Sequence, residues 1–278
     1  MKTEIREIQR HCLQLLDIAD GICRKHGINY SLCGGSVVGA YLYKGCLPWD
    51  DDVDLMMTRE NYNLFIEIAR KELPDGYVLM TISQDSSYNQ TISKIVNERT
   101  TLVQANGEVF GVFLDITCYD RVPMNKLYRK IDMFLLGLIF TIRRGKISGW
   151  SIKNKIRSLL LDTLFSKRQK CLLLIQHLVE RIGMLSTRYE YMEIFGAWAQ
   201  YIPYRSSVFE NYTTIEFEGK KYMIVRDYIE YLQTRYSRTD FREPKEKQVA
   251  PHYEYVDFNL PYKDYLKRKN ENTSSNSK

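Results

Sequence analysis

Pro48-Trp49-Asp50-Asp51-Asp52-Val53-Asp54-Leu55 places four carboxylates in five consecutive positions, and the rest of the chain is read outward from that cluster. Packed this tightly, the charges repel unless a cation neutralises them. If residues 52–54 are extended, side chains two apart share a face, so Asp52 and Asp54 point together while Val53 and Leu55 enter the core. Two parallel carboxylates form a hard oxygen site suited to Mg²⁺ or Mn²⁺, completed by water and substrate phosphates. A solvated acidic loop is the plain alternative. An EF-hand loop would also use Asp50, Asp52 and Asp54 as positions 1, 3 and 5, but position 6 is then Leu55 and position 12 is Asn61, where that loop needs Gly and Glu.

Upstream, Ile5, Ile8, Cys12, Leu15, Leu16, Ala19, Ile22 and Cys23 recur at helical steps, and Gly27 ends the run. A short strand over Tyr30 to Cys33 then enters Gly34-Gly35-Ser36, and a helix follows to Tyr43. The two glycines let backbone amides approach a phosphate, although a tight turn needs them equally. Downstream, Val53 to Met57 reads as a strand and Thr58 as the N-cap of a helix to about Glu72. Strands are expected at Tyr77–Thr81, Ile92–Val96, Thr100–Gln104 and Val109–Thr117. Within Phe113-Leu114-Asp115-Ile116-Thr117, Asp115 is a lone carboxylate on an apolar strand, which is costly unless paired or metal-bound. Asp120 reads as a strand-end cap. Later, a hairpin about Glu218-Gly219 precedes a helix over Asp227–Tyr236.

Composition bounds the class. The 278 residues are 44% hydrophobic and 27% charged, within the globular range. The six cysteines lack C-x-x-C spacing, which excludes a disulfide scaffold and points to a reducing compartment. The charged N-terminus has no signal-peptide run, and the longest apolar stretch, Met133–Ile142, is ten residues long and too short to span a bilayer. His11, His26, His177 and His252 stand singly and read as surface or core residues. The net charge of +6 is uneven: between Arg121 and Lys170 there are 13 Lys or Arg against Asp132 and Asp162, a block of +11 that leaves −5 for the remainder.

Glycine turn, Asp-x-Asp strand and a third strand Asp resemble the polymerase-beta type of nucleotidyltransferase fold. Leu32-Cys33-Gly34-Gly35-Ser36, Gly39-Ala40, Lys44-Gly45, Pro48 to Leu55 and Leu114-Asp115-Ile116 together resemble the LicD family over about residues 5–120. The expected fold is therefore α+β: a nucleotidyltransferase-like core at 1–120, a basic helical insert at 121–184, a segment at 185–269 packing back on the core, and a disordered tail at 270–278. The resemblance implies a phosphotransferase that passes phosphocholine, or a related alcohol phosphate, from CDP-choline or another CDP-alcohol to a sugar hydroxyl of a cell-surface glycan precursor, such as lipopolysaccharide or teichoic acid. It implies Asp52, Asp54 and Asp115 as catalytic and metal-holding residues with Mg²⁺ or Mn²⁺. It implies Gly34, Gly35, Ser36, Lys44, Trp49 and Asp51 as substrate-binding residues. Relatives usually carry Arg-His where this chain has Leu42-Tyr43, so one donor contact is replaced.

A lipid-linked acceptor fits such a scheme, and the +11 block then faces an anionic membrane surface, with Leu135, Leu136, Ile139 and Phe140 as one interfacial face and Ile156, Leu159, Leu160 and Phe165 as another. That places the protein in the cytoplasm, peripheral on the inner face of a bacterial membrane, with no nucleic-acid partner. A nucleotidyltransferase acting on a small acceptor uses the same three carboxylates; a non-enzymatic membrane-surface adaptor uses only the basic block.

Overall fold

A computed structural model describes residues 2–83, 88, 90–144, 168–195, 202–242 and 252–275. The architecture is α+β. The central sheet runs β1 (Ser31–Leu32), β2 (Asp54–Thr58), β7 (Phe113–Pro123), β4 (Ser93–Asn97), β3 (Tyr77–Met80), and only the β2–β7 pairing is parallel. Helix α1 (Lys2–His26) buries the apolar stripe read from the sequence, with Ile8, Leu15, Leu16 and Ala19 fully inaccessible, and Gly27 ends it at φ +65°. Helix α2 (Gly34–Tyr43) leaves β1 directly, and α3 (Arg59–Glu72) leaves β2. Thr58 occupies the N-cap position of α3, but its hydroxyl accepts a hydrogen bond from the Asn61 side chain at 2.9 Å and does not cap a helix N–H.

The single strand expected over 109–117 is two. Gly111 lies under the Asn97 carbonyl so closely that any Cβ there would collide with it, and the chain breaks into β6 (Val109–Phe110) and β7. Strand β5 (Thr101–Gln104) pairs β6 on one side and β12 (Tyr253–Asp257) on the other, forming a small sheet beside the central one. The hairpin β10 (Tyr212–Phe217) and β11 (Lys220–Val225) has its turn at Glu218-Gly219 as read.

Strand β7 is eleven residues long and serves two cores. Its first half lies in the main core; its second half pairs β8 (Tyr189–Met192), which pairs β9 (Tyr204–Arg205). Against that end pack α4 (Lys126–Arg144) and α5 (Arg168–Gly183), with Leu135, Leu136, Ile139, Leu172, Ile175 and Val179 forming a second apolar cluster with Val122 and Met192. Three residues expected to face a membrane are thus core residues: Leu135, Leu136 and Ile139 are 6%, 6% and 0% exposed, because the sheet end and α5 cover that side of α4. The side chain of Phe140 and the second expected face, residues 156–165, lie outside the described residues. The outward stripe of α4 is instead Leu127, Ile131, Phe134 and Leu138, at helical spacing.

Two further readings are corrected. Asp120 is not a strand-end cap: it is buried within β7 and accepts Arg59 Nε at 2.7 Å and Nη2 at 3.0 Å, a two-point ion pair that a buried carboxylate requires. The tail expected to be disordered from residue 270 is helical to Ser275 in α7 (Tyr262–Ser275), which docks through Tyr262 and Leu266 and meets no glycine or proline before 275. Among the described residues no helix is long and apolar enough to cross a membrane.

Candidate active site

The alternation read at the acidic cluster is present. Val53 and Leu55 are buried, while Asp52 and Asp54 on the other side are partly open. The parallel pairing sets Asp54 of β2 opposite Asp115 of β7, and β4 sets Lys94 opposite Asp115. Cross-strand partners share a face, so Asp54, Asp115 and Lys94 form one row across three strands. Lys94 Nζ contacts Asp115 Oδ1 and sits 3.6 Å from the centroid of Phe113, nearly inaccessible itself.

The glycine turn is fixed against this row by its own contacts. The Cys33 amide donates to the Asp54 carbonyl at 2.9 Å, and the Asp54 amide donates to Ser36 Oγ at 3.0 Å. Gly34, at φ +52°, donates its N–H to the hydroxyl of Tyr231 at 3.1 Å, from helix α6 (Tyr228–Tyr236). Gly35 is a glycine because Asp50 lies on it: a Cβ there would stand 2.5 Å from Asp50 Oδ2. The Ser36 amide returns to the Cys33 carbonyl at 3.0 Å, so two of the amides expected to cradle a phosphate are already engaged within the protein.

Asp51 turns the opposite way and is gripped by His252, whose backbone N–H donates to Oδ2 at 2.8 Å and whose Nδ1 lies 3.0 Å from Oδ1. One ligand atom from each of Asp51, Asp52 and His252 falls within a 4.8 Å cluster. Above them opens a cavity of about 390 Å³, floored by Asp51, Asp52 and Asp115 and walled by Phe113, Gln104 and His252. That volume suits a small organic ligand.

The electrostatics are those of a site short of positive charge. Burial, then the neighbouring carboxylates, raises Asp52 well above the carboxylate range; the same causes bring Asp54 to about 8 and Asp50 to about 6, with Arg235 and Lys94 opposing the shift at Asp54. Hydrogen bonding to Asp51 raises His252. Clustered carboxylates with an imidazole at the rim are a donor set for a divalent cation, and the residues present fit one.

The remaining expected donor contacts lie apart. Lys44 caps the far end of α2 in a left-handed conformation, and its Nζ is 3.3 Å from Glu216. Trp49 is half-buried with its ring edge-on to Tyr43, centroids 6.1 Å apart. Neither lines the cavity. Three groups at the site escaped the sequence reading: Lys94, His252 and Arg235. A lone Lys in the apolar strand Ser93-Lys94-Ile95-Val96 was a usable signal, whereas His252 and Arg235 arrive from distant segments without one.

Residues 27–118 match the family model described as "LicD/FKTN/FKRP, nucleotidyltransferase domain". The lipopolysaccharide cholinephosphotransferase LicD of Haemophilus influenzae is 31% identical over 267 residues, covering 91% of this chain and 97% of that protein. The family model spans the carboxylate cluster and the part of β7 bearing Asp115, the relative matches over nearly the whole chain, and on that extent the chain belongs to the LicD family.

Proposed function

We propose that this protein is a metal-dependent phosphotransferase that moves phosphocholine, or a closely related alcohol phosphate, from a CDP-linked donor to a sugar hydroxyl of a glycan precursor. The observation that supports it best is the Asp54–Asp115–Lys94 row beside a carboxylate-floored cavity, in a chain similar along nearly its whole length to a cholinephosphotransferase. The core is read as a nucleotidyltransferase domain.

Asp52, Asp54 and Asp115 would hold Mg²⁺ or Mn²⁺, with Asp51 and His252 at its margin. When bound, the cation supplies charge neutralisation for a pyrophosphate. The protein's own groups then do the rest. Asp115, anchored by Lys94, stands at the cavity floor to accept the acceptor hydroxyl's proton. The freed oxygen attacks the phosphorus distal to the nucleoside, and cytidine monophosphate leaves with the electron pair of the broken P–O bond. Phe113 and the β5–β6 turn wall off water.

For a lipid-linked acceptor, the basic block between 121 and 170 and the outward stripe Leu127, Ile131, Phe134 and Leu138 suit peripheral contact with an anionic membrane face. Binding to phosphatidylglycerol vesicles that weakens with salt is expected; absence of binding removes this part of the reading.

The deciding experiment incubates the protein with Mg²⁺, a panel of CDP-alcohols and a glycan acceptor. Acceptor-dependent release of cytidine monophosphate is expected. Pyrophosphate release from a nucleoside triphosphate, with no turnover of CDP-alcohols, would replace phosphoryl-alcohol transfer by nucleotidyl transfer.

A further inference from the structure

Helix α6 brings two side chains to the glycine turn from one face, since Tyr231 and Arg235 are four residues apart. Tyr231 receives the Gly34 N–H. Arg235 extends over the same residue: a Cβ on Gly34 would lie 3.6 Å from Arg235 Nη2, 3.7 Å from its Nε and 3.6 Å from Asp54 Oδ2. The guanidinium and the Asp54 carboxylate therefore both lie beside the space that a side chain at Gly34 would fill. The opposite edge of the guanidinium is tied down, with Nη1 donating to Glu193 at 2.9 Å and lying 3.5 Å from the Tyr119 hydroxyl. Among the described residues Glu193 is the one carboxylate in ion-pair range of Arg235. The Nε–Nη2 edge, which has the fork geometry that fits a phosphate, lies over Gly34 beside Asp54, and the hydroxyls of Tyr204 and Tyr236 also hydrogen-bond to the guanidinium. The side chain remains 18% exposed, enough to be reached.

The other cations nearby are spent. Lys94 is held on Asp115, and Lys44 lies with Glu216 at the far end of α2. Leu42 and Tyr43 supply no charge. A phosphorylated donor beside four carboxylates needs a fixed cation in addition to any metal, and Arg235 is the group positioned to provide it. We infer that Arg235 is a donor-binding residue that grips a phosphate of the donor across Gly34, with Glu193 holding the guanidinium edge-on to the site. This rests on the phosphorylated-donor reading given above.

The test separates binding from folding. Arg235→Gln alone strands the Glu193 charge and is expected to lower the melting temperature; Arg235→Gln with Glu193→Gln removes both charges and is expected to recover it. In calorimetry with Mg²⁺, both variants should bind CDP-choline about 10- to 100-fold more weakly than the wild type, the loss expected for one charge-assisted hydrogen bond, since Gln can keep a neutral one. Arg235→Lys, which keeps the pair but loses the fork, should fall in between. A double variant that regains wild-type affinity along with stability would show that Arg235 only balances Glu193, and would overturn the inference. Magnesium pyrophosphate serves as a second probe. Arg235-dependent pyrophosphate binding without any CDP-alcohol binding would sink the donor reading and leave this inference standing, whereas a wild-type protein that binds neither refutes it.

Discussion

Asp132 on α4 is a carboxylate that the fold buries without compensation. It is 1% exposed, and among the described residues neither of its oxygens has a hydrogen-bond partner. Desolvation, with the negative charge of Asp120 added, pushes its carboxyl from 3.8 up to about 7. A carboxyl raised by folding favours the native state when protonated. Its contribution is therefore intact below the unfolded value near 3.8 and is lost as pH rises through about 7, the reverse of an ion-paired acid. Raising the carboxyl from 3.8 to about 7 sets a ceiling of about 4 kcal/mol at pH 8, and solvent screening and local relaxation reduce this to about 2–4 kcal/mol. Asp132→Asn should then be more stable than wild type by about 2 kcal/mol or more at pH 8 and indistinguishable from it near pH 4. Asp132→Leu should gain further by filling the same cluster with apolar atoms. Urea unfolding followed by circular dichroism at pH 4.5, 6 and 8, with the denaturant slope unchanged between variants, measures the difference directly. An Asn variant no more stable than wild type at pH 8, or a gain that does not vary with pH, would refute the reasoning.

Three other outcomes are expected. Asp52→Asn, Asp54→Asn and Asp115→Asn should each abolish turnover while remaining folded, and the Asp52 and Asp54 variants should melt at or above the wild-type temperature in EDTA because mutual repulsion is relieved; full activity of any of them under chelation would end the metal reading. Gly35→Ala should displace Asp50 and weaken Mg²⁺-dependent stabilisation by CDP-choline in a thermal shift assay, since its Cβ would stand 2.5 Å from Asp50 Oδ2; unchanged stabilisation would show that Asp50 yields freely. Asp120→Asn leaves the buried Arg59 without its two-point partner and should cost about 3–5 kcal/mol in urea unfolding, with a loss under 1 kcal/mol arguing that Glu180, 3.3 Å from Arg59 Nη1, takes over the charge.

Local pattern carried the reading where the cause was local. The Asp52–Asp54 alternation, the strand–turn–helix at Gly34 and the Glu218-Gly219 hairpin all follow from a period of two or from turn chemistry, and each is present. Partnerships across the chain leave no such mark. Nothing near Asp120 announces Arg59, and nothing near Asp51 announces His252, because a register between β12 and β5 brings the histidine in. The leucines of α4 show why amphipathicity is ambiguous: the helix has apolar residues on two sides, and only packing reveals which side is core. Polar composition at 270–275 signalled disorder, yet the docking of Tyr262 lets the helix continue.

The order in which the site's charges leave the ribosome follows from its construction. All the acidic groups are present once Asp115 has been made, but Arg235 and His252 come 120 and 137 residues later. At 5–20 residues per second, the nascent chain carries its carboxylates for about 7–27 s before the last of these partners is synthesised. During that interval the β2–β7 pairing would bring Asp54 and Asp115 together with Lys94 as their nearby cation. The charge balance of the site is therefore completed only when the C-terminal segments carrying Arg235 and His252 have been made.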